Sequence, residues 1–150
     1  MPIETLDDLR QFSGREIGVT DWLEITQDRI QKFADATEDH QWIHVDPGRA
    51  QRESPYGAAI AHGFLTLSLL SHFIFSVIQL ADIRMGINYG LNRVRFPSAV
   101  RAGSRIRARI ALQSVRDLPE ASEATFLITI EAENSNKPCC VAESVVRFYR

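Results

Sequence analysis

The sequence has no Cys-x-x-Cys pair and no histidine tract, and its two cysteines, Cys139 and Cys140, stand side by side. Neighbouring residues on a strand point to opposite faces, which disfavours a bond between them and leaves no disulfide framework. The same shortage removes the usual ligand spacings of a metal centre, so a reduced, cytoplasmic compartment and a metal-free site are the defaults. The stretch Met1 to Arg10 is acidic and lacks a basic region ahead of an apolar core, so it does not read as a secretory signal.

An excess of positive charge is missing too. Seventeen Lys and Arg face nineteen Asp and Glu, a formal net charge of −2, so no nucleic-acid partner is expected. The one crowding of cations is Arg101, Arg105, Arg107 and Arg109, the last three alternating with Ile106, Ala108 and Ile110. That alternation reads as the solvated face of a half-buried strand.

From Ala58 to Ala81 there is no Asp, Glu, Lys or Arg, which raises the question of a membrane span. Ser68, His72, Ser76 and Gln79 recur every three or four residues and make one polar stripe, while Leu67, Leu70, Phe73, Ile74 and Ile78 cover the rest. A helix of that kind belongs inside a fold, not in lipid. The sequence also has no internal repeat, linker or low-complexity run. With 150 residues and 45% hydrophobic content, residues 1–150 read as a single domain with a sizeable core.

Period-two segments fill the second half. Strands are predicted near Met85–Phe96, Ser104–Val115, Glu123–Glu133 and Cys139–Tyr149, joined by short turns that favour antiparallel neighbours. Upstream, Ile17, Val19, Leu23 and Ile25 suggest an early strand interrupted at Asp21. Thr26 can cap a helix ending near Thr37, and Asp46-Pro47 starts a second, stopped by Ser54-Pro-Tyr-Gly57. One long apolar helix and a run of antiparallel strands imply an α+β class with the helix packed on one sheet face.

Between the two upstream helices lies Ala36-Thr-Glu-Asp-His-Gln-Trp-Ile-His-Val-Asp46, which sets a carboxylate, Asp39, and an imidazole, His44, in one turn. Two such groups converging on one water can serve as general acid and base, although spacing alone leaves a cap and a surface side chain as alternatives. Ala61-His-Gly-Phe64 reads as a helix N-terminus with free N–H groups that can face an oxygen anion.

These residues together resemble the hydratase-2 motif of the MaoC-like dehydratases, Gly-Asp-x-Asn-Pro-Ile/Leu-His-x-Asp, with Asp39, His44 and Asp46 on its three ionisable positions. Ile60-Ala-His-Gly-Phe-Leu65 and Asn88-Tyr-Gly-Leu-Asn-Arg-Val-Arg-Phe-Pro97 extend the resemblance through most of the chain. It is closest to the short (R)-specific enoyl-CoA hydratases and the nodulation protein N-like members. Glu38, Gln41 and Trp42 depart from the motif's Gly, Asn and Pro, which puts the geometry of the turn in question.

The resemblance implies a hot-dog fold, a curved antiparallel sheet wrapped around a central helix, and a homodimer. It implies addition of water to a trans-2-enoyl thioester with no cofactor beyond the coenzyme A of the substrate, and no membrane partner. Asp39 and His44 would be catalytic, with the N–H of Gly63 stabilising the thioester oxygen. His62 would orient the turn or cap the helix, and Ser71 would support the aspartate, with a packing role equally open. Asn88 and Asn92 are candidates to line the pocket. The arginine stretch has a second reading as a landing site for coenzyme A phosphates. A hot-dog thioesterase and a non-catalytic acyl-thioester-binding subunit are the alternatives.

Overall fold

The computed structural model describes residues 2–150. It opens with a helix not foreseen in the sequence, α1 (Leu6–Arg10), whose signal was a capping box: the Thr5 hydroxyl accepts from the Asp8 N–H (3.1 Å) and the Asp8 carboxylate accepts from the Thr5 N–H (3.0 Å). Its Leu6 and Leu9 are fully buried. The early strand divides into β1 (Arg15–Val19) and β2 (Leu23–Glu24). At the division the Thr20 hydroxyl accepts from the N–H of Ala108 (2.9 Å), so a side chain replaces a rung of the ladder.

Helix α2 (Gln27–Thr37) starts at the Thr26 cap as expected, and α4 (Pro47–Glu53) starts where Asp46 accepts from the Arg49 N–H (3.0 Å) with Pro47 behind it. A one-turn helix, α3 (Trp42–Val45), fills part of the turn between them. The chain then runs extended past Ile60, where Ala61 N–H donates to the Val100 carbonyl (2.8 Å) and Ala102 N–H to the Ala59 carbonyl (2.9 Å).

The uncharged run is helical only from Gly63 to Val77, as α5 (Gly63–Ser68) and α6 (Leu70–Val77). They meet at Leu69, whose N–H donates three residues back to Thr66 (3.2 Å), while the Ser68 hydroxyl donates to the Leu65 carbonyl (2.6 Å). Such local competition tightens and interrupts a helix. The central helix is therefore shorter than the apolar run that announced it. Its stripe of Ser68, His72 and Ser76 faces outward, and Leu65, Leu70, Phe73 and Ile74 face the sheet.

The sheet is completed by β3 (Met85–Arg95), β4 (Arg105–Asp117), β5 (Ser122–Ala132) and β6 (Pro138–Tyr149). Its order is β1-β4-β5-β6-β3, antiparallel throughout, with β2 also on β4. Ile106, Ala108, Ile110 and Leu112 of β4 alternate inward and join Phe126, Ile128, Ala142, Phe148 and the helix residues Phe73 and Ile74 in one core. On the opposite face Arg105 pairs with Glu133 (2.8 Å), and both Arg107 (3.0 Å) and Arg109 pair with Glu131. Trp22 lies under Arg107 at 4.4 Å. These three arginines are matched to carboxylates across the strand, as the solvated-face reading expects.

Two irregularities matter later. In β6 the register moves so that Ile130 faces Cys140 and Glu131 faces Pro138, leaving Cys139 as a bulge and both thiols buried. Burial pushes Cys139 up to about 12 and Cys140 to about 11. In β3, which is an edge, Tyr89 and Asn92 are skipped by the pairing with β6, and Met85, Ile87, Tyr89 and Leu91 remain exposed. Among the described residues no helix is long and apolar enough to cross a membrane.

Candidate active site

Helix α2 must reverse sharply to reach the motif turn, and Glu38 does this in the left-handed region, at φ 63° and ψ 19°. That conformation costs a non-glycine residue about 1–2 kcal/mol. Where the motif has Gly, Glu38 thus takes a conformation that glycine adopts freely. Likewise Gln41 sits at φ −58° and ψ 138°, an extended geometry that suits a residue before proline, although Trp42 follows it. Trp42 instead holds its place under the Arg49 guanidinium, 4.3 Å from the ring centre.

His44 rides on α3 and is 6% exposed. Its Nδ1–H donates to the Ile60 carbonyl (2.7 Å), and Ile60 N–H donates back to the Ile43 carbonyl (3.0 Å). A carbonyl can only accept, so Nδ1 carries the proton and Nε2 keeps its lone pair. Gln27 on α2 adds a bond from its side-chain amide to the His44 carbonyl (2.7 Å). Burial is the main cause holding His44 below its ordinary value of 6.5, the bond to Ile60 opposing it.

Asp39 is half exposed, and one carboxylate oxygen accepts weakly from the Gln41 N–H (3.4 Å). His62 links the two. Its ring is 3% exposed and stacks on His44 at 3.8 Å and 22°. Nε2 donates to the Asp39 backbone carbonyl (3.0 Å) and lies 4.0 Å from its carboxylate. Phe33 closes the other side of that ring at 4.8 Å. His62 makes no side-chain bond to cap α5, so of its two expected roles the geometry supports orientation of the turn. Its Nδ1 is buried without a partner.

One ligand atom each from Asp39, His44 and His62 lies within 4.8 Å of the others, close enough to ask whether they hold a metal. Ring nitrogens bind metals in the plane of the ring, and the planes of two stacked imidazoles run nearly parallel instead of converging. With His62 Nε2 also committed to a carbonyl, the set suits proton transfer better than chelation.

The three residues line an open cleft of about 500 Å³ with Phe33, Gly63 and Phe96. Gly63 is the first residue of α5, and among the described residues its N–H has no acceptor. A Cβ added there would lie 3.1 Å from the Phe96 ring. In the free protein, then, the space that glycine leaves is taken by an aromatic side chain.

Ser71 is not in this cleft. It exchanges hydrogen bonds with Asn88 (3.1 and 3.3 Å) and borders a separate cavity of about 240 Å³ with Leu67, Leu70 and Ser144. Its partner is thus Asn88 and not Asp39. Asn92 is a bulge residue outside both. His72 is exposed. Sequence reasoning missed Phe33, Phe96, Gln27 and the Ile60 carbonyl. A main-chain acceptor has no residue type to read, and two phenylalanines look like core until the fold brings them to a cleft.

With this geometry in hand, comparison with known proteins is informative. Residues 9–133 match the family model described as MaoC like domain. The chain is 49% identical over 146 residues to 3-hydroxyacyl-thioester dehydratase Z of Mycobacterium tuberculosis, covering 97% of this chain and 96% of that protein. It is 51% identical over 141 residues to nodulation protein N of Rhizobium meliloti, covering 92% and 87%. Among solved structures, the unliganded R-hydratase PhaJ1 of Pseudomonas aeruginosa superposes with a TM-score of 0.73 at 20% identity, over 92% of this chain and 82% of that one. The architecture is the hot-dog fold.

Proposed function

Since this chain belongs to the MaoC-like dehydratase family, we propose that it is a hydro-lyase, an (R)-specific enoyl-CoA hydratase that also runs in reverse as a 3-hydroxyacyl-thioester dehydratase. The observation that carries this reading is the pairing of a half-exposed Asp39 carboxylate with a His44 whose proton is fixed on Nδ1, leaving Nε2 free beside an open cleft.

Water bound between Asp39 and His44 loses a proton to the pair as its oxygen attacks the β-carbon of the enoyl thioester. The electron pair displaced from the double bond moves to the thioester oxygen, where the Gly63 N–H stabilises it. The charge then collapses, and the α-carbon takes a proton from the pair. One water is consumed and nothing is oxidised, so no redox cofactor enters. The base is assigned to Asp39 and His44 jointly. The thiol burial fits work in a reducing cytoplasm.

A second copy of this chain completes the molecule by covering β3. Ile87, Tyr89 and Leu91 are about half exposed there, and an apolar edge strand left open is an aggregation hazard. Sedimentation at micromolar concentration should show a dimer; a stable monomer would contradict this part of the reading.

The decisive experiment follows crotonyl-CoA and longer trans-2-enoyl-CoAs by absorbance, with chiral analysis of the product. Loss of the enoyl absorbance without free thiol, giving the (R)-3-hydroxyacyl product, is expected. Release of thiol would replace the reading with a thioesterase, and silence at every chain length with an acyl-binding subunit.

A further inference from the structure

His62 touches both members of the Asp39–His44 pair with one ring. Along its edge, the Nε2–H donates to the Asp39 backbone carbonyl (3.0 Å). Across its face, it lies on His44 with ring centres 3.8 Å apart. Phe33 covers the other side at 4.8 Å and the residue is buried, so the ring has little room to turn. Asp39 has little else to hold it. Its side chain is half exposed, and beyond the 4.0 Å approach to His62 its contact among the described residues is the long bond from the Gln41 N–H (3.4 Å). A carboxylate so loosely held takes its position from the main chain, and the main chain here is tied to a buried ring.

The acceptors fix the tautomers. His44 gives its Nδ1–H to the Ile60 carbonyl and His62 gives its Nε2–H to that of Asp39, so each ring keeps one lone pair when neutral. The His62 lone pair, on Nδ1, meets no donor among the described residues. A buried nitrogen without a partner is destabilising, so packing alone gives no reason for a histidine here. The titratable groups that face His44 are Asp39, from the motif turn, and His62, from the start of α5. Helix α2 presents Gln27 to the His44 carbonyl and Phe33 to His62, the extended run presents the Ile60 carbonyl, and Arg49 of α4 turns to Trp42. Burial does most to hold His44 below 6.5; His62 acts in the same sense and Asp39 against it.

We propose that His62 is the positioning residue of this site: its edge anchors Asp39 through the main chain, its face anchors His44, and the spacing of the pair is set by that one ring. The reaction it serves is the hydratase reading above. A second consequence follows from what the ring is. Where a carboxylate on the face of His44 would welcome a proton there, an imidazole does not, so His44 keeps its Nε2 lone pair for the water.

The test uses two substitutions that each keep half of the ring's contacts. His62→Gln keeps an N–H for the Asp39 carbonyl and loses the stack, whereas His62→Phe keeps the stack and loses the donor. With crotonyl-CoA, His62→Phe should lower kcat by at least about tenfold at nearly unchanged KM, since misplacing a catalytic group by about 1 Å can cost about a hundredfold. His62→Gln should recover most of that loss. In both variants the acid limb of kcat/KM should move to higher pH, because no imidazole then opposes a proton on His44. Long-range proton–nitrogen NMR of the histidine rings reads the same behaviour without turnover. Wild type should show Nδ1–H on His44 and Nε2–H on His62, and His44 should titrate at higher pH in both variants. Melting temperatures identify a variant that is merely unfolded. Wild-type kcat in folded His62→Phe, equal losses in the two variants, or losses that track melting temperature with the acid limb fixed each overturn the proposal and leave a packing role. The opposite tautomer on either ring overturns it as well. A wild-type protein silent on every enoyl thioester overturns the hydratase reading instead, and the ring spectra still decide this one.

Discussion

Strands β4 and β3 are written in similar alternating patterns, yet the fold treats them in opposite ways. In β4 the apolar set Ile106, Ala108, Ile110 and Leu112 is sealed against the helix, and the polar set Arg105, Arg107 and Arg109 is matched by carboxylates. In β3 nearly every residue stays exposed, two bulges interrupt the pairing, and Ile87 and Leu91 face outward, while Tyr89 is covered only by the Arg147 guanidinium, 3.4 Å from its ring centre. At the back of the sheet β4 is paired along both edges, while at the front β3 is an edge strand. The cleft lies at the front, where Phe96, the residue after β3, lies against Gly63. Stability and chemistry are therefore carried by different parts of the molecule, and substitutions should separate them.

The largest effect belongs to the back. Phe126 is fully buried, and Phe126→Ala should cost about 3–5 kcal/mol in chemical denaturation. The folded fraction should still turn over substrate normally; a loss of activity in proportion to stability would mean that the two regions are not separable. At the front, Asp39→Asn and His44→Ala should each lower turnover by at least about a hundredfold. Asp39→Asn should leave the melting temperature nearly unchanged, because its side chain is half exposed. His44→Ala leaves the buried Ile60 carbonyl without its donor and should cost about 1–3 kcal/mol as well. Near-wild-type turnover in either variant removes that residue from the mechanism.

A pH series sharpens the same division. Burial keeps His44 neutral below the ordinary 6.5. As pH falls below that value the unfolded chain binds a proton at this position before the folded chain does, so stability contributed here is complete above 6.5 and declines beneath it. Melting curves of wild type and His44→Gln between pH 8 and 5 should diverge only on the acid side, with wild type falling faster. Parallel curves would show that His44 is not held neutral by the fold. The smallest effect is a gain: Glu38→Gly relieves a left-handed backbone at φ 63° and should raise stability by up to about 1 kcal/mol, net of the added freedom of the unfolded chain. A loss of stability there would mean that the Glu38 side chain contributes more than the backbone strain.

Much of this was legible in the residues. The four long strands were read to within a few residues because period two leaves a clear mark, and Asp46-Pro47 announced its helix. Asp39 and His44 lie in one place because the motif carries its own turn, and the extended run past Ile60 brings His62 against them. Other features had no local signature. The break at Leu69 accompanies a serine bonding back to the helix, yet Ser76 makes the same bond to the Phe73 carbonyl (2.7 Å) inside α6, so residue type alone does not announce a break. Helix α1 is too short to show periodicity, though Thr5 and Asp8 spelled its cap. Ser71 was assigned to Asp39 by resemblance, while its partner Asn88 sits seventeen residues away on another element. The contact of Phe96 with Gly63 depends on where β3 ends relative to α5, a long-range fact that no window of sequence contains.

The bulge in β6 has a practical side. Because Cys139 and Cys140 are both buried, with thiols pushed up to about 12 and 11, the folded protein presents almost no thiolate at neutral pH. A chromogenic disulfide reagent added to the native enzyme should therefore stay colourless. Any colour that develops with an acyl-CoA present reports coenzyme released by hydrolysis, with no background from the protein to subtract. In denaturant the same reagent should count two equivalents per chain, and the rate at which they appear becomes a clock for the opening of the sheet.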